Sequence, residues 1–199
     1  MKYITTLLIG FLGLINLAHS ASPTETVEYA TQSVISELKK TPVEERNSGA
    51  IERLVKSYIL PAIDQERIAK LALGKHWRRA TKAQQVAFTE TFRDLQIRTY
   101  TGAFKAFDGQ EFEFLDARFN KSGEKAIVKG HMIQPNGQRI TIDFKLYVNK
   151  QQNWKIYDAV IAGLGMVTTY RQQLSQQLQN ESLDEVIASM RSQIQTAQR

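Results

Sequence analysis

The chain has 199 residues, 26 Lys and Arg against 20 Asp and Glu, a formal net charge of +6, and no cysteine. Without cysteine there are no disulfides, thiolate metal sites or N-terminal lipoprotein acylation, so apolar burial alone must hold the fold. The charge suits contact with anionic lipid headgroups, nucleic acid or acidic proteins and selects none of them.

Residues 1–20 have the form of a signal peptide. Lys2 supplies the basic start, Ile4 to Leu17 the apolar stretch, and Ala18-His19-Ser20 the small residues that a signal peptidase recognises. The stretch is shorter than the ~20 apolar residues of a spanning helix, which disfavours the alternative of an uncleaved anchor. The expected mature chain starts near Ala21 and is free in solution. Residues 21–199 suffice for one domain with a sizeable core.

The first predicted helix carries Val27, Ala30, Val34 and Leu38 on one face and ends at Thr41-Pro42. A second carries Ile51, Leu54, Val55, Tyr58 and Ile59, and Pro61 stops or kinks it. Asp64 caps a short third helix that Gly74 ends. Thr81 with Gln84 is a capping box, opening a long helix to about Phe107 with Phe88, Phe92, Leu95, Thr99 and Ala103 on its stripe.

Beyond Asp108-Gly109 the apolar period changes from 3.6 to 2. Phe112 and Phe114 mark one strand, and Ala126, Val128, Gly130 and Met132 line the apolar side of a second. Pro135-Asn136-Gly137 is a hairpin signal. Ile140, Ile142, Phe144, Leu146 and Val148 alternate with polar residues in a third strand, and Trp154 to Ala162 form a fourth. Gly163 leads into a helix with Leu164, Val167, Leu174 and Leu178 inward, and Ser182 with Glu185 caps a last one. The pattern predicts an α+β domain: a four-stranded antiparallel sheet whose apolar side is covered by N- and C-terminal helices.

Little in this pattern is chemical. His76 and His131 lie on different elements without metal-site spacing, no serine occupies a G-x-S-x-G elbow, and Gly163-Leu164-Gly165 is a turn, not a phosphate loop. Asp158 interrupts the apolar fourth strand and is either a general base or a structural acid held by backbone amides or a cation. Lys75-His76-Trp77-Arg78-Arg79 is a basic cluster around an aromatic. It fits a solvated helix junction with Trp77 packed inward, or contact with headgroups at a membrane surface.

The segment Leu73-Gly74-Lys75-His76-Trp77-Arg78-Arg79-Ala80-Thr81 resembles an L-G-x-x-W-R-x-A-T signature, continued by Phe92, Arg98-Thr99-Tyr100 and Asp108-Gly109-Gln110. Trp154-Lys155-Ile156-Tyr157-Asp158, Gly163 and Tyr170-Arg171-Gln172-Gln173 are similar to W-K-V-Y-D, E-G-V-S and Y-R-x-Q-F. These signatures belong to the MlaC or toluene-tolerance family of periplasmic phospholipid-binding proteins, and the likeness spans nearly all of residues 21–199. Ala162, Gly165 and Leu174 depart from it, where the family has Glu, Ser and Phe.

The resemblance implies a fold of the NTF2-like and cystatin-like class with an apolar pocket between sheet and helices. It implies a periplasmic, monomeric, non-enzymatic phospholipid carrier without a cofactor or a nucleic-acid partner. Such a carrier shuttles between an outer-membrane lipoprotein complex and an inner-membrane ABC transporter with a lipid-binding ring, preserving outer-membrane lipid asymmetry. A diacyl lipid has roughly thirty methylenes, whose exposure would cost on the order of 20–25 kcal/mol at ~0.8 kcal/mol each. The expected pocket is therefore near or above the top of the usual ~300–1,000 Å³ range.

The expected walls, and hence the expected lipid contacts, come from three places. Phe92, Tyr100 and Phe104 stand on the long helix; Val128, Met132, Ile140, Ile142, Phe144 and Leu146 on the sheet; Leu164 and Val167 beyond the last strand. Two other classes remain open: an interaction module whose apolar stripe binds a partner helix or peptide, and an isomerase or hydratase using Asp158. A second polar group aimed into the pocket would mark the enzyme.

Overall fold

The structure, a computed structural model, describes residues 21–196. The expected signal peptide, residues 1–20, lies outside the described residues. Helix α1 (Pro23–Lys40) opens with a reciprocal capping box, Ser22 accepting from the Glu25 backbone N–H and Glu25 from that of Ser22. It buries Val27, Ala30, Val34 and Leu38, the four residues on its apolar stripe.

The second helix is shorter than its periodicity suggests. Helix α2 (Ser48–Leu54) gives way to a π-helical turn at Val55–Ile59 and a 3-10 turn at Leu60–Ala62. Pro61 explains the change, because a proline has no N–H to donate and its ring collides with the carbonyl four residues earlier. Asp64 then caps α3 (Gln65–Leu73) by accepting from the Arg67 N–H at 2.9 Å. Gly74 ends that helix at φ +55°, a conformation that costs glycine little. The Thr81–Gln84 box starts α4 (Lys82–Lys105) as expected.

The sheet has six strands where four are expected. They are β1 (Glu111–Phe114), β2 (Arg118–Phe119), β3 (Lys125–Ile133), β4 (Arg139–Val148), β5 (Trp154–Ile161) and β6 (Leu164–Gly165). All pairs are antiparallel in the order β1-β3-β4-β5-β6, with β2 also on β3. The two unforeseen strands, β2 and β6, have two residues each, too few to show an alternating pattern. Between β3 and β4 the pairs Ala126–Leu146, Val128–Phe144, Gly130–Ile142 and Met132–Ile140 put the apolar residues on one face. Gly130 must lack a side chain there, since a Cβ would lie 2.7 Å from the Glu113 carbonyl oxygen.

A bulge interrupts the β4–β5 ladder. Leu146 pairs with Ile156 but Lys145 pairs with Asp158, so Tyr157 is the extra residue. Simple alternation would put Ile156 and Asp158 on the same face; the bulge moves Asp158 to the face of Lys145. The chain then turns through Ala162 and Gly163, both at positive φ, into β6. Leu164 therefore lies on a short strand before α5 (Met166–Gln177) and is 70% exposed, not on the inner face of that helix as expected. Helix α6 (Leu183–Thr196) starts at the predicted Ser182–Glu185 cap.

Three apolar clusters form the interior. One joins α3, α4, α5 and α6 around Phe88, Phe92, Trp77, Leu174 and Val186. A second packs Val27 and Ala30 of α1 onto Val128, Leu146 and Ile156 of the sheet. The third closes the α1–α2 corner with Val34, Leu38, Ile51 and Val55, against which Ile97, Phe104 and Phe107 lie. Arg46 clasps that corner, donating to the carbonyls of Leu38 in the last turn of α1, Thr41 at its end and Phe107 after α4, at 2.9, 3.0 and 2.6 Å.

Candidate functional site

The three clusters leave an apolar cavity of about 270 Å³ where they meet. Ala30 and Thr31 of α1 form one side. Val55, Ile59, Leu60 and Ile63, from the irregular turns before α3, form the next. Helix α4 presents Arg93, Gln96, Ile97, Tyr100 and Phe104, spaced three or four apart so that they share one face. Phe144, Ile156, Ala159 and Ile161 of the sheet, with Met166, Val167 and Tyr170 of α5, complete the wall.

Polarity is confined to a few groups. Gln65 donates to the Gln96 side-chain carbonyl at 2.8 Å, and Arg93 pairs with its neighbour Asp94 at 2.8 Å. Tyr100 and Tyr170 share a hydroxyl–hydroxyl bond of 3.1 Å, and Tyr100 also reaches the Met166 sulfur at 3.8 Å. Burial, then the bond to Tyr100, pushes the Tyr170 hydroxyl far above the ordinary phenol range, so it stays protonated.

Asp158 stands at the cavity edge and is 7% exposed. One oxygen accepts from the Lys145 ammonium at 2.9 Å, the other from the Val167 backbone N–H at 3.1 Å. Both oxygens thus have structural partners, the arrangement of an acid that ties β5 to β4 and to α5.

Of the residues expected to form walls, Tyr100, Phe104, Phe144 and Val167 line the cavity. The others are placed elsewhere. Phe92 is fully buried between Phe88 and Tyr170, with ring centroids at 5.2 and 4.9 Å. Val128 and Leu146 are fully buried under α1, and Ile142 is 7% exposed. Met132 and Ile140 pair near the β3–β4 hairpin, and Leu164 faces outward. Periodicity identifies an inward face and does not distinguish packed interior from open space.

The sequence reading missed Ile59, Ile63, Ala159, Ile161, Met166 and Tyr170. Part of the signal was available: Ala30 is the small residue in a stripe of Val and Leu, and Met166 and Tyr170 are four apart on one helix face. The cavity is also smaller than the expected volume.

His76, His131 and the basic cluster lie outside the cavity lining. His76 Nε2 and His131 Nδ1 are buried without partners, and the described residues contain no cluster of three or more His, Cys, Asp or Glu able to hold a metal. Burial, then Lys75 and Arg79, lowers the His76 pKa. Trp77 is packed inward at 7% exposure while Lys75, Arg78 and Arg79 face solvent, as both a helix junction and a headgroup contact require.

The MlaC protein family model matches residues 28–192. The intermembrane phospholipid transport system binding protein MlaC of Haemophilus influenzae is 23% identical over 190 residues, covering 94% of this chain and 89% of that protein. A phospholipid-binding protein from Ralstonia solanacearum, solved in complex with a phospholipid, superposes with a TM-score of 0.81 at 25% identity. The match covers 90% of this chain and all of that one.

Proposed function

Since the chain belongs to the MlaC family, we propose that it is a phospholipid carrier whose single domain, from about residue 21 onward, holds acyl chain in the cavity between α4 and the sheet. The observation that carries this reading is the cavity's lining, apolar except around Thr31, Gln65, Gln96, Arg93, Asp158 and the tyrosine pair. At about 270 Å³ the cavity falls below the ~300–1,000 Å³ of usual small-ligand sites, room for part of a chain but not for a whole diacyl lipid.

Taking up the rest requires the site to widen. The wall at Val55–Ala62 is the place for it, because π- and 3-10-helical turns lack the regular bonding that stiffens an α-helix. The headgroup stays near Arg93, where its charge keeps contact with water.

The proposed setting is the periplasm, reached by cleavage near Ser20, with the protein acting as a monomer. Its partners are an outer-membrane lipoprotein complex and an inner-membrane ABC transporter whose lipid-binding ring receives or delivers the lipid, in a pathway preserving outer-membrane asymmetry. The ATPase resides in the transporter. No catalytic step is assigned to this chain, since the bonds of Asp158 to Lys145 and Val167 account for that acid. Nucleic acid is not among the proposed partners.

The test is transfer of a fluorescent phospholipid from donor to acceptor vesicles. A carrier increases the transfer rate in proportion to its concentration; a rate equal to the protein-free control would refute the reading.

A further inference from the structure

We propose that the Tyr100–Tyr170 hydroxyl pair binds the ester carbonyl of an acyl chain, making the protein prefer ester-linked over ether-linked phospholipid. The inference rests on the phospholipid reading above.

The two hydroxyls meet at 3.1 Å from different helices, and both side chains line the cavity. Each phenol carries one proton to donate and two lone pairs. Their mutual bond uses one proton. The other has the Met166 sulfur at 3.8 Å, a thioether and a weak acceptor. Neither hydroxyl bonds the other side-chain acceptors of the lining, Thr31, Gln65, Gln96 and Asp158. The raised pKa of Tyr170 keeps the pair a donor at neutral pH.

Packing does not explain the two oxygens. Tyr170 meets Phe92 edge-on at 4.9 Å through its ring, a contact that Phe would make equally well. A half-buried O–H directed at a poor acceptor is under-satisfied, and a carbonyl entering with the ligand would complete it.

The position along α4 fits a carbonyl. Gln96 and Arg93 precede Tyr100 by four and seven residues, about 6 and 10 Å along a helix axis, and Phe104 follows it by one turn. Tyr100 therefore sits where the lining changes from polar to apolar. In a glycerophospholipid the same change falls at the ester groups between phosphate and chains. An ether linkage places no carbonyl there.

The experiment loads the mature chain, stripped of lipid, with an equimolar mixture of diacyl and dialkyl-ether phosphatidylglycerol of matched chain length. Native mass spectrometry reads the bound ratio. The wild type should favour the diacyl lipid about five- to tenfold, the equivalent of one neutral hydrogen bond. The Tyr100→Phe/Tyr170→Phe variant should bind both about equally and melt close to wild type. If it melts well below wild type, Tyr100→Phe alone is read, with the same expectation. Equal binding by the wild type, or a preference that persists in the folded variant, overturns the inference. Binding of neither lipid refutes the carrier reading itself.

Discussion

Asp158 accepts the backbone N–H of Val167 at 3.1 Å, which fastens the connection from β5 through β6 to the first turn of α5. Its other oxygen meets Lys145 across the bulged ladder. One carboxylate therefore fixes the sheet edge, the start of α5 and, through Val167, part of the cavity wall.

Replacing Asp158 by Ala leaves the Val167 N–H and the partly exposed Lys145 ammonium without that partner. The expected cost is about 2–4 kcal/mol, read as a fall in Tm of about 5–12 °C. Asp158→Asn should lose less and still bind phospholipid. A folded Asp158→Asn protein with no lipid would contradict the structural role and favour a direct one.

Cavity space and surface can be separated by two substitutions close in sequence. Ala159→Phe adds a ring inside the cavity and should lower bound phospholipid at least about tenfold, since an extra large side chain competes for the same volume. Leu164→Arg changes a residue that is 70% exposed and should leave both lipid content and Tm near wild type. Lipid phosphate per mole of purified protein checks both. The opposite ranking would move the site toward the outer surface of β6.

Phe92 distinguishes interior from wall on α4. It has no exposed surface and packs between Phe88 and Tyr170. Phe92→Ala should cost about 3–5 kcal/mol, visible as a loss of about 6–20 °C in thermal melting. Phe92→Leu should retain most of the stability and the bound lipid. A Phe92→Ala protein of native stability but empty of lipid would place Phe92 in the wall after all.

The helices were legible because their ends are written locally. Ser182–Glu185, Thr81–Gln84, Asp64 and Gly74 all act as the sequence suggests, and the stripes Val27–Leu38 and Ile140–Val148 face inward. What was missed depends on long-range geometry. The bulge at Tyr157 reverses the face of Asp158, two-residue strands leave no period, and nothing local to Gly163 shows that Leu164 pairs with Ile161 before the helix begins. The cavity was the least legible feature. It exists because Ala30 and Ala159 are small and Val55–Ala62 departs from α-helical geometry, and both depend on which elements face one another.

The central claim is that hydrocarbon from a phospholipid occupies this cavity. Native mass spectrometry of the protein purified from a Gram-negative host without added detergent tests it most directly. The account predicts a species heavier than the polypeptide by the mass of a phospholipid, lost on organic extraction and diminished in Ala159→Phe. A wild-type spectrum containing only the bare polypeptide would contradict it.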